Sequence, residues 1–175
     1  MRLRFGRSGA VPAAALEGAQ LRPGEKPLAA AATKTGAWVI GTRDALHIIG
    51  APGTATTRIP WERVERADWD NESELLRVTE VGEFGQPRPE YTFDIDEPGL
   101  LLQLLRERVT ASVVLQRRVV VTGRDGLVVI ARRPPQGSGE ITWAYELDVG
   151  VDPADPRVMA AAEAGLRSAA EELGL

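Results

Sequence analysis

Short apolar segments with an alternating pattern fill the first half of the chain. Residues 28–33, 37–42 and 46–49 are each bounded by turn residues, which predicts three antiparallel strands joined as a meander. Pro60 and Trp61 mark a bend, because proline cannot donate to a strand ladder. Further short strands are predicted at residues 56–59, 64–69, 75–82 and 90–95.

Period-two alternation also predicts which side chains share a face of this sheet. Trp38 and Ile40 fall on one face of their strand, as Leu46 and Ile48 do on the next strand, so the sheet is expected to bury one face. His47 then points to the opposite side of its strand from Leu46.

An amphipathic helix follows these strands. Asp96 or Glu97 is expected to cap it, and Pro98 suits its first turn. The helix is expected to end either near Arg108 or near Gln116, because the β-branched residues between these positions also favour a strand. Its apolar stripe consists of Leu101, Leu104, Leu105 and Val109.

The rest of the chain predicts a hairpin, one more strand and a closing helix. Residues 119–122 and 127–131 flank Gly123-Arg124-Asp125-Gly126, a strong hairpin signal, and residues 141–147 form the next strand. Asp155 followed by Pro156 is typical of a helix start. The residues expected to be buried on this helix are Val158, Ala162, Leu166, Ala169 and Leu173.

Composition narrows the class of protein. A chain of 175 residues that is 43% hydrophobic can bury one core, and its longest apolar runs are far short of a membrane-spanning helix. The absence of cysteine excludes disulfides, thiolate metal sites and cysteine nucleophiles. Arginine greatly outnumbers lysine, a usage typical of GC-rich bacterial genomes. We expect a cytoplasmic bacterial protein with no transmembrane segment.

The charge is acidic overall but unevenly distributed. A net charge of −4 argues against nucleic-acid binding, which depends on a basic surface. Residues 98–139 nevertheless contain seven arginines and two acidic residues, and residues 140–175 contain eight acidic residues and two arginines. We therefore expect no nucleic-acid partner, and the arginines of the middle block become the candidates for other binding.

Four short sequence motifs follow one another in the first two thirds of the chain. They are GEKPLAAAATKTGAWVIGTRDALHII at 24–49, RIPWERVERADWD at 58–70, LLRV at 75–78 and LLLQLL at 100–105. The series resembles the bacterial pleckstrin-homology-like (PH-like) domains and covers roughly half of the chain. The resemblance implies about seven strands curled into a half-open barrel that a helix plugs. It implies no catalytic residue, because such domains bind and do not catalyse.

The expected fold class is therefore α+β and mostly antiparallel β. Residues 1–25 are expected to form a loose N-terminal arm, and residues 26–116 the PH-like domain. Residues 117–175 would then add a β-hairpin, a strand and a C-terminal helix packed on that domain.

The residues that suggest catalysis have simpler structural explanations. His47 is the only histidine, and a solvated or hydrogen-bonded place on a strand face explains it without a catalytic triad. The carboxylates of residues 68–72 lack the glycine and closing glutamate of a calcium loop. Helix capping explains Asp94, Asp96 and Glu97. We expect no catalytic residue, metal site or cofactor, and so no enzyme.

Four arginines around the predicted hairpin are the candidate binding residues. A two-residue turn would place Arg117 opposite Arg132, with Arg118 and Arg133 as their neighbours. Like charges that face each other destabilise a strand pair, so something must offset them.

Three explanations for this cluster remain open, and in one of them the arginines are simply solvated and have no role. Acidic residues of the chain can neutralise it, either Glu140, Glu146 and Asp148 or those of the last helix. Alternatively, the guanidinium groups bind an anion or an acidic partner, with Trp143 as a stacking neighbour.

The expected function is a noncatalytic binding or scaffold module that presents a strand edge or groove to a protein partner. The alternative is a regulator that binds a small anion or phosphorylated metabolite through the arginines and Trp143. Exposed sheet edges leave a homodimer open, with no interface readable from the sequence.

Overall fold

The computed structural model describes residues 11–50 and 54–175, and the fold within them is α+β with antiparallel strands, as predicted. The strands of this part of the chain form three sheets, of four, three and three strands, with no closed barrel. No helix in the described ranges is long and apolar enough to cross a membrane. The helices are α1 (Ala13–Gly18), α2 (Leu101–Ser112) and α3 (Pro156–Glu172), with a 3₁₀ turn at Trp61–Arg63.

The first sheet is the predicted meander. Its strands pair in chain order, and each pairs antiparallel with the next. They are β1 (Ala29–Ala32), β2 (Trp38–Gly41), β3 (Ala45–Ile49) and β4 (Thr56–Pro60).

Both faces of this sheet are covered, whereas the alternation predicted one buried face. Val39 and Leu46 point into the main core, and Ile40 points to a second apolar cluster under residues 11–25. His47 lies opposite Ile40 in the ladder and is buried on this outer face. Alternation along each strand divides the side chains between two faces of the sheet. It cannot show that a segment distant in the sequence covers the outer face.

A sharp corner leads into the second sheet. Pro60 ends β4, and Trp61 begins the 3₁₀ turn at the predicted bend. The Trp61 side chain is fully buried, and its Nε1 donates to the carbonyl oxygen of Thr42 at 3.1 Å. The second sheet contains β5 (Val64–Asp70), β6 (Leu75–Glu80) and β7 (Glu90–Asp94), in that order.

A lysine in the β1–β2 turn connects the outer strands of these two sheets. The Lys34 main-chain N–H donates to the Asp94 carbonyl oxygen at 2.9 Å, and its ammonium lies within 3.0 Å of the Glu74, Asp94 and Asp96 carboxylates. The predicted cap of α2, Asp96 or Glu97, is wrong because the helix begins later, at Leu101. The N-cap is Leu100, and no side chain caps the helix.

The α2 helix closes the core that the first two sheets share. Leu101, Leu104 and Leu105 are buried in this core, as the stripe predicts. The helix ends at Ser112, between the two predicted ends. Val113 is already extended, so the helix passes into the next strand without a loop.

The third sheet carries α3 on one face. Its strands are β8 (Val113–Thr122), β9 (Asp125–Arg132) and β10 (Thr142–Leu147), with β9 in the centre. The Asp155 side chain accepts from the Arg157 main-chain N–H at 2.8 Å, and Pro156 is the first helical residue, so the predicted helix start is confirmed. The buried residues of α3 are Val158, Ala162, Gly165 and Ala169.

The N-terminal strap, residues 11–25, packs on the outer face of the first sheet. The sequence predicts a loose arm over residues 1–25 with one helical turn around residues 13–19. The helix α1 confirms that turn, and apolar side chains of the described part cover the outer face. Ala19 is buried there, and Leu21 packs against the same cluster. Residues 1–10 lie outside the described residues.

Gly165 allows α3 to lie close to the third sheet. A Cβ atom at this position would lie 2.6 Å from Cγ2 of Val119 and 3.0 Å from Cγ2 of Val129. We expect Gly165→Val to lower the free energy of unfolding by about 1–3 kcal/mol, because overpacking must displace the helix. Ala164→Val on the exposed side of α3 is the control, and urea denaturation measures both variants. Equal losses in the two would contradict this close approach.

Candidate functional site

The predicted pairing of arginines across the β8–β9 hairpin does not form. Arg117 lies opposite Val129, and Arg132 lies opposite Val113. The register shifts at two irregularities of β8, one near each end. At the turn end, Gly126 packs so closely on β8 that a Cβ would lie 2.0 Å from the Val119 carbonyl oxygen. Counting residues outward from a regular two-residue turn cannot predict such bulges.

The candidate residues lie on both faces of the third sheet. Arg117 faces the α3 side with its cross-strand neighbour Val129, and Trp143 packs in the same cluster. Arg118 and Arg132 belong to the opposite face, because alternation places them with Ile130 and its cluster. The four arginines therefore do not converge on one ligand position.

Acidic residues of the chain already bind two of these arginines. Arg118 donates to both oxygens of Asp148, with Nη1 2.8 Å from Oδ1, and also to the Arg124 carbonyl oxygen at 2.8 Å. Hydrogen bonds from Arg118 and from the Gly126 main chain lower the pKa of Asp148 to about 2. Arg117 forms an ion pair with Glu172 at the end of α3. These pairs agree with the explanation that acidic residues of the chain, here Asp148 and Glu172 of the last helix, neutralise the arginines.

Arg132 is a buried structural residue. It is 3% exposed, and its guanidinium donates to the Ser112 hydroxyl at 2.9 Å and to the carbonyl oxygens of Val109 at 3.3 Å and Glu65 at 2.8 Å. It thereby satisfies acceptors at the C-terminal end of α2 and joins β9 to β5. Burial lowers its pKa, and the nearby Glu65 and Glu146 carboxylates oppose this effect.

Arg133 completes the set of predicted arginines. Its side chain is half-buried, and its main-chain N–H donates to the Ser112 carbonyl oxygen at 2.8 Å. The buried Nε atoms of Arg117, Arg132 and Arg133 have no hydrogen-bond partner in the described residues.

A groove between β5 and α2 was missed by the sequence analysis. It has a volume of about 390 Å³. Trp69 from β5 and Leu102 from α2 both line it and are half-buried. Two sequence features could have indicated this groove: the alternation of apolar and polar residues around Trp69, and the apolar residues of α2. The distance between β5 and α2 could not be inferred from the sequence. The remaining apolar lining consists of Ala67, Leu76, Leu105 and Val109.

The groove follows the free edge of β5. This strand is at the edge of its sheet and pairs with β6 alone. Residues 65–69 all line the groove, and since successive residues of a strand point to opposite faces, the groove runs along the strand edge. At Glu65 the outward carbonyl accepts from Arg132. Beyond it, residues 66–69 have no main-chain partner on this side within the described residues.

The charges around the groove are mixed. Arg66 and Asp68 form an ion pair on its rim, with Nε 2.8 Å from Oδ2, and Arg106 is exposed on the α2 side. Glu65 is buried beside the groove, and Arg88 Nε lies 2.7 Å from its Oε2. Burial raises the pKa of Glu65, and the charge of Arg88 opposes this shift.

His47 and Asp70, which suggested catalysis in the sequence, both have structural partners. Both ring nitrogens of His47 are occupied, by the Ala19 carbonyl oxygen and the Glu25 carboxylate, which leaves neither for a nucleophile. Asp70 accepts from the main-chain N–H groups of Glu72 and Ser73, so it closes a turn. Across residues 11–50 and 54–175, no group of three or more potential ligands could hold a metal ion.

Comparison with known proteins adds no assignment. The chain matches no protein-family model, and no curated protein matches its sequence.

We expect Arg132→Met to lower the free energy of unfolding by about 2–4 kcal/mol, because it leaves the buried Glu65 carbonyl oxygen of β5 without its donor and removes the hydrogen bonds to the end of α2. Arg124→Met, in the exposed turn, is the matched control and is expected to change stability by less than about 0.5 kcal/mol. Urea denaturation followed by circular dichroism measures both. Similar losses would show that Arg132 does not join these elements.

Proposed function

We propose that this protein is a noncatalytic binding module of PH-like fold, and that it binds an extended segment of a partner protein along the free edge of β5. The observation that carries the proposal is the groove beside that edge, with main chain on one wall and the apolar side of α2 on the other.

The order of the elements supports a PH-like fold. Four strands form one antiparallel sheet, the next three form a second, and a single helix follows at once and packs in the core of both. The two sheets meet at the Trp61 corner and again where Lys34 reaches Asp94. A half-open barrel plugged by a helix requires these contacts.

A strand-adding partner suits the groove for two reasons. An edge strand provides main-chain hydrogen bonds without requiring a particular partner sequence, and adjacent apolar side chains provide selectivity. Residues 66–69 supply the edge, and Trp69 with Leu102 supplies the apolar surface. The mixed charges favour no single small anion, since Arg66 is already paired with Asp68.

Peptide display tests this proposal. Peptides selected on the intact protein are expected to protect from hydrogen exchange those amides of residues 66–69 that point to the free edge rather than to β6. Leu102→Glu is expected to weaken binding by about tenfold or more, because it places a charge in the apolar wall.

Leu100→Glu is the matched control, because Leu100 is 59% exposed and does not line the groove. It is expected to leave affinity unchanged. Peptides that bind both variants equally well, or that protect another edge, would contradict the proposal.

The alternative anion-binding function has weaker support. Arg117 and Arg118 are paired with acidic residues, and Arg132 is buried by α2 and β5. We expect inorganic phosphate to raise the melting temperature of the wild type no more than that of Arg118→Gln. A larger rise in the wild type would favour the anion-binding regulator.

A further inference from the structure

The free edge of β5 offers main-chain groups from two residues. Arg132 Nη2 lies 2.8 Å from the Glu65 carbonyl oxygen and already occupies it. Because alternate residues of a strand direct their main-chain groups to the same side, Ala67 and Trp69 are the next residues that face outward. Neither has a main-chain partner on that side within the described residues. A strand added here therefore pairs with Ala67 and Trp69, and Arg132 ends the pairing.

The side chains of Ala67 and Trp69 lie on the core side of the sheet. Both are half-buried and pack against the core that α2 closes, whereas Arg66 and Asp68 are exposed on the other face. A partner residue that pairs with either of them projects its own side chain to the same face. Alternate side chains of the partner therefore enter the groove beside α2.

The α2 helix runs antiparallel to β5. At one end, the guanidinium of Arg132 joins the carbonyl oxygen of Val109, near the end of α2, to that of Glu65, at the start of β5. At the other end, β5 and β7 finish level with each other on either side of β6, and α2 begins shortly after β7. The start of α2 therefore lies towards Trp69, and its end lies towards Glu65.

The wall that α2 forms changes from apolar to cationic along the groove. Leu102 and Arg106 both line it and are one helical turn apart, about 6 Å along the helix axis. Residues two apart in a strand are separated by nearly the same distance, about 6.7 Å. A partner strand antiparallel to β5 runs parallel to α2. It therefore places one side chain beside Leu102 and the side chain two residues later beside Arg106.

The Arg106 side chain is available to a partner. It is exposed and has no hydrogen bond or ion pair within the described residues. The other arginine that lines the groove, Arg66, is paired with Asp68. A carboxylate binds a guanidinium through charge-assisted hydrogen bonds, and main-chain pairing with β5 would hold that carboxylate in place. The groove thus combines an apolar position and a cationic position at a fixed spacing.

We propose that the segment bound at β5 carries an apolar residue followed two positions later by an aspartate or a glutamate. The apolar residue pairs with Trp69 and packs on Leu102. The acidic residue pairs with Ala67 and binds Arg106. This inference rests on the proposed function, because it names the chemistry of the partner for the same groove. It adds a sequence requirement to main-chain pairing, which by itself accepts many sequences.

Peptide selection on the intact protein tests this order of residues. Selected peptides that protect the free edge of β5 from hydrogen exchange are expected to share an apolar and an acidic residue at this spacing. Glutamine in place of the acidic residue is expected to weaken binding to the wild type by about two- to fivefold at low ionic strength, the loss typical of an exposed ion pair. The same change in the peptide should not alter binding to Arg106→Gln.

A charge exchange supplies the critical comparison. Arg106→Glu is expected to prefer the peptide with lysine at the acidic position, because the exchange restores an ion pair of opposite polarity. Arg167→Gln is the matched control, because this arginine of α3 is also exposed and unpaired within the described residues. It should bind the acidic peptide as the wild type does.

The outcomes separate this inference from the proposed function. Peptides that protect the β5 edge without the apolar and acidic spacing would overturn the inference and leave the groove as the binding site. An acidic peptide that binds Arg106→Gln as tightly as the wild type would do the same. Selected peptides that protect another surface would overturn both.

Discussion

A single buried guanidinium sets how the parts of this molecule fit together. Arg132 belongs to the third sheet, yet its hydrogen bonds go to the end of α2 and to the first outward carbonyl of β5. A charge removed from water is costly unless acceptors surround it, so these three elements can pack in few other ways. The same contact fixes where the free edge of β5 begins, and with it the position of the candidate groove.

Local patterns predicted the elements of the fold well. Strand alternation, the Pro60-Trp61 bend and the Asp155-Pro156 helix start all act over a few residues, where propensity and capping determine the outcome. The predicted α2 cap was wrong because the helix begins at Leu101, and Asp96 instead makes a nonlocal contact with Lys34, from a turn far away in the chain. The covered outer face of the first sheet has the same origin, since the segment that covers it has no sustained hydrophobic period.

The candidate site was harder to predict than the fold. The arginine residues were found from composition, but their arrangement depended on bulges in β8 that shift the register and on the burial of Arg132. The groove between β5 and α2 needs two elements that lie more than thirty residues apart in the sequence. Each was predicted, and only their separation in space creates a binding surface. His47 was recognised as a strand-face residue, and its partners became visible only in three dimensions.

The first two sheets contact each other at Lys34 and at the Trp61 corner, and salt is expected to weaken the Lys34 contact more. Within each sheet the strands are joined by hydrogen-bonded ladders, and the two sheets share an apolar core. Between β1 and β7, the main-chain bond to Asp94 is reinforced by exposed ion pairs, and exposed ion pairs are screened at high ionic strength. The contact between β1 and β7 therefore depends on the surrounding electrolyte, whereas the Trp61 corner is held by a buried hydrogen bond that salt does not screen.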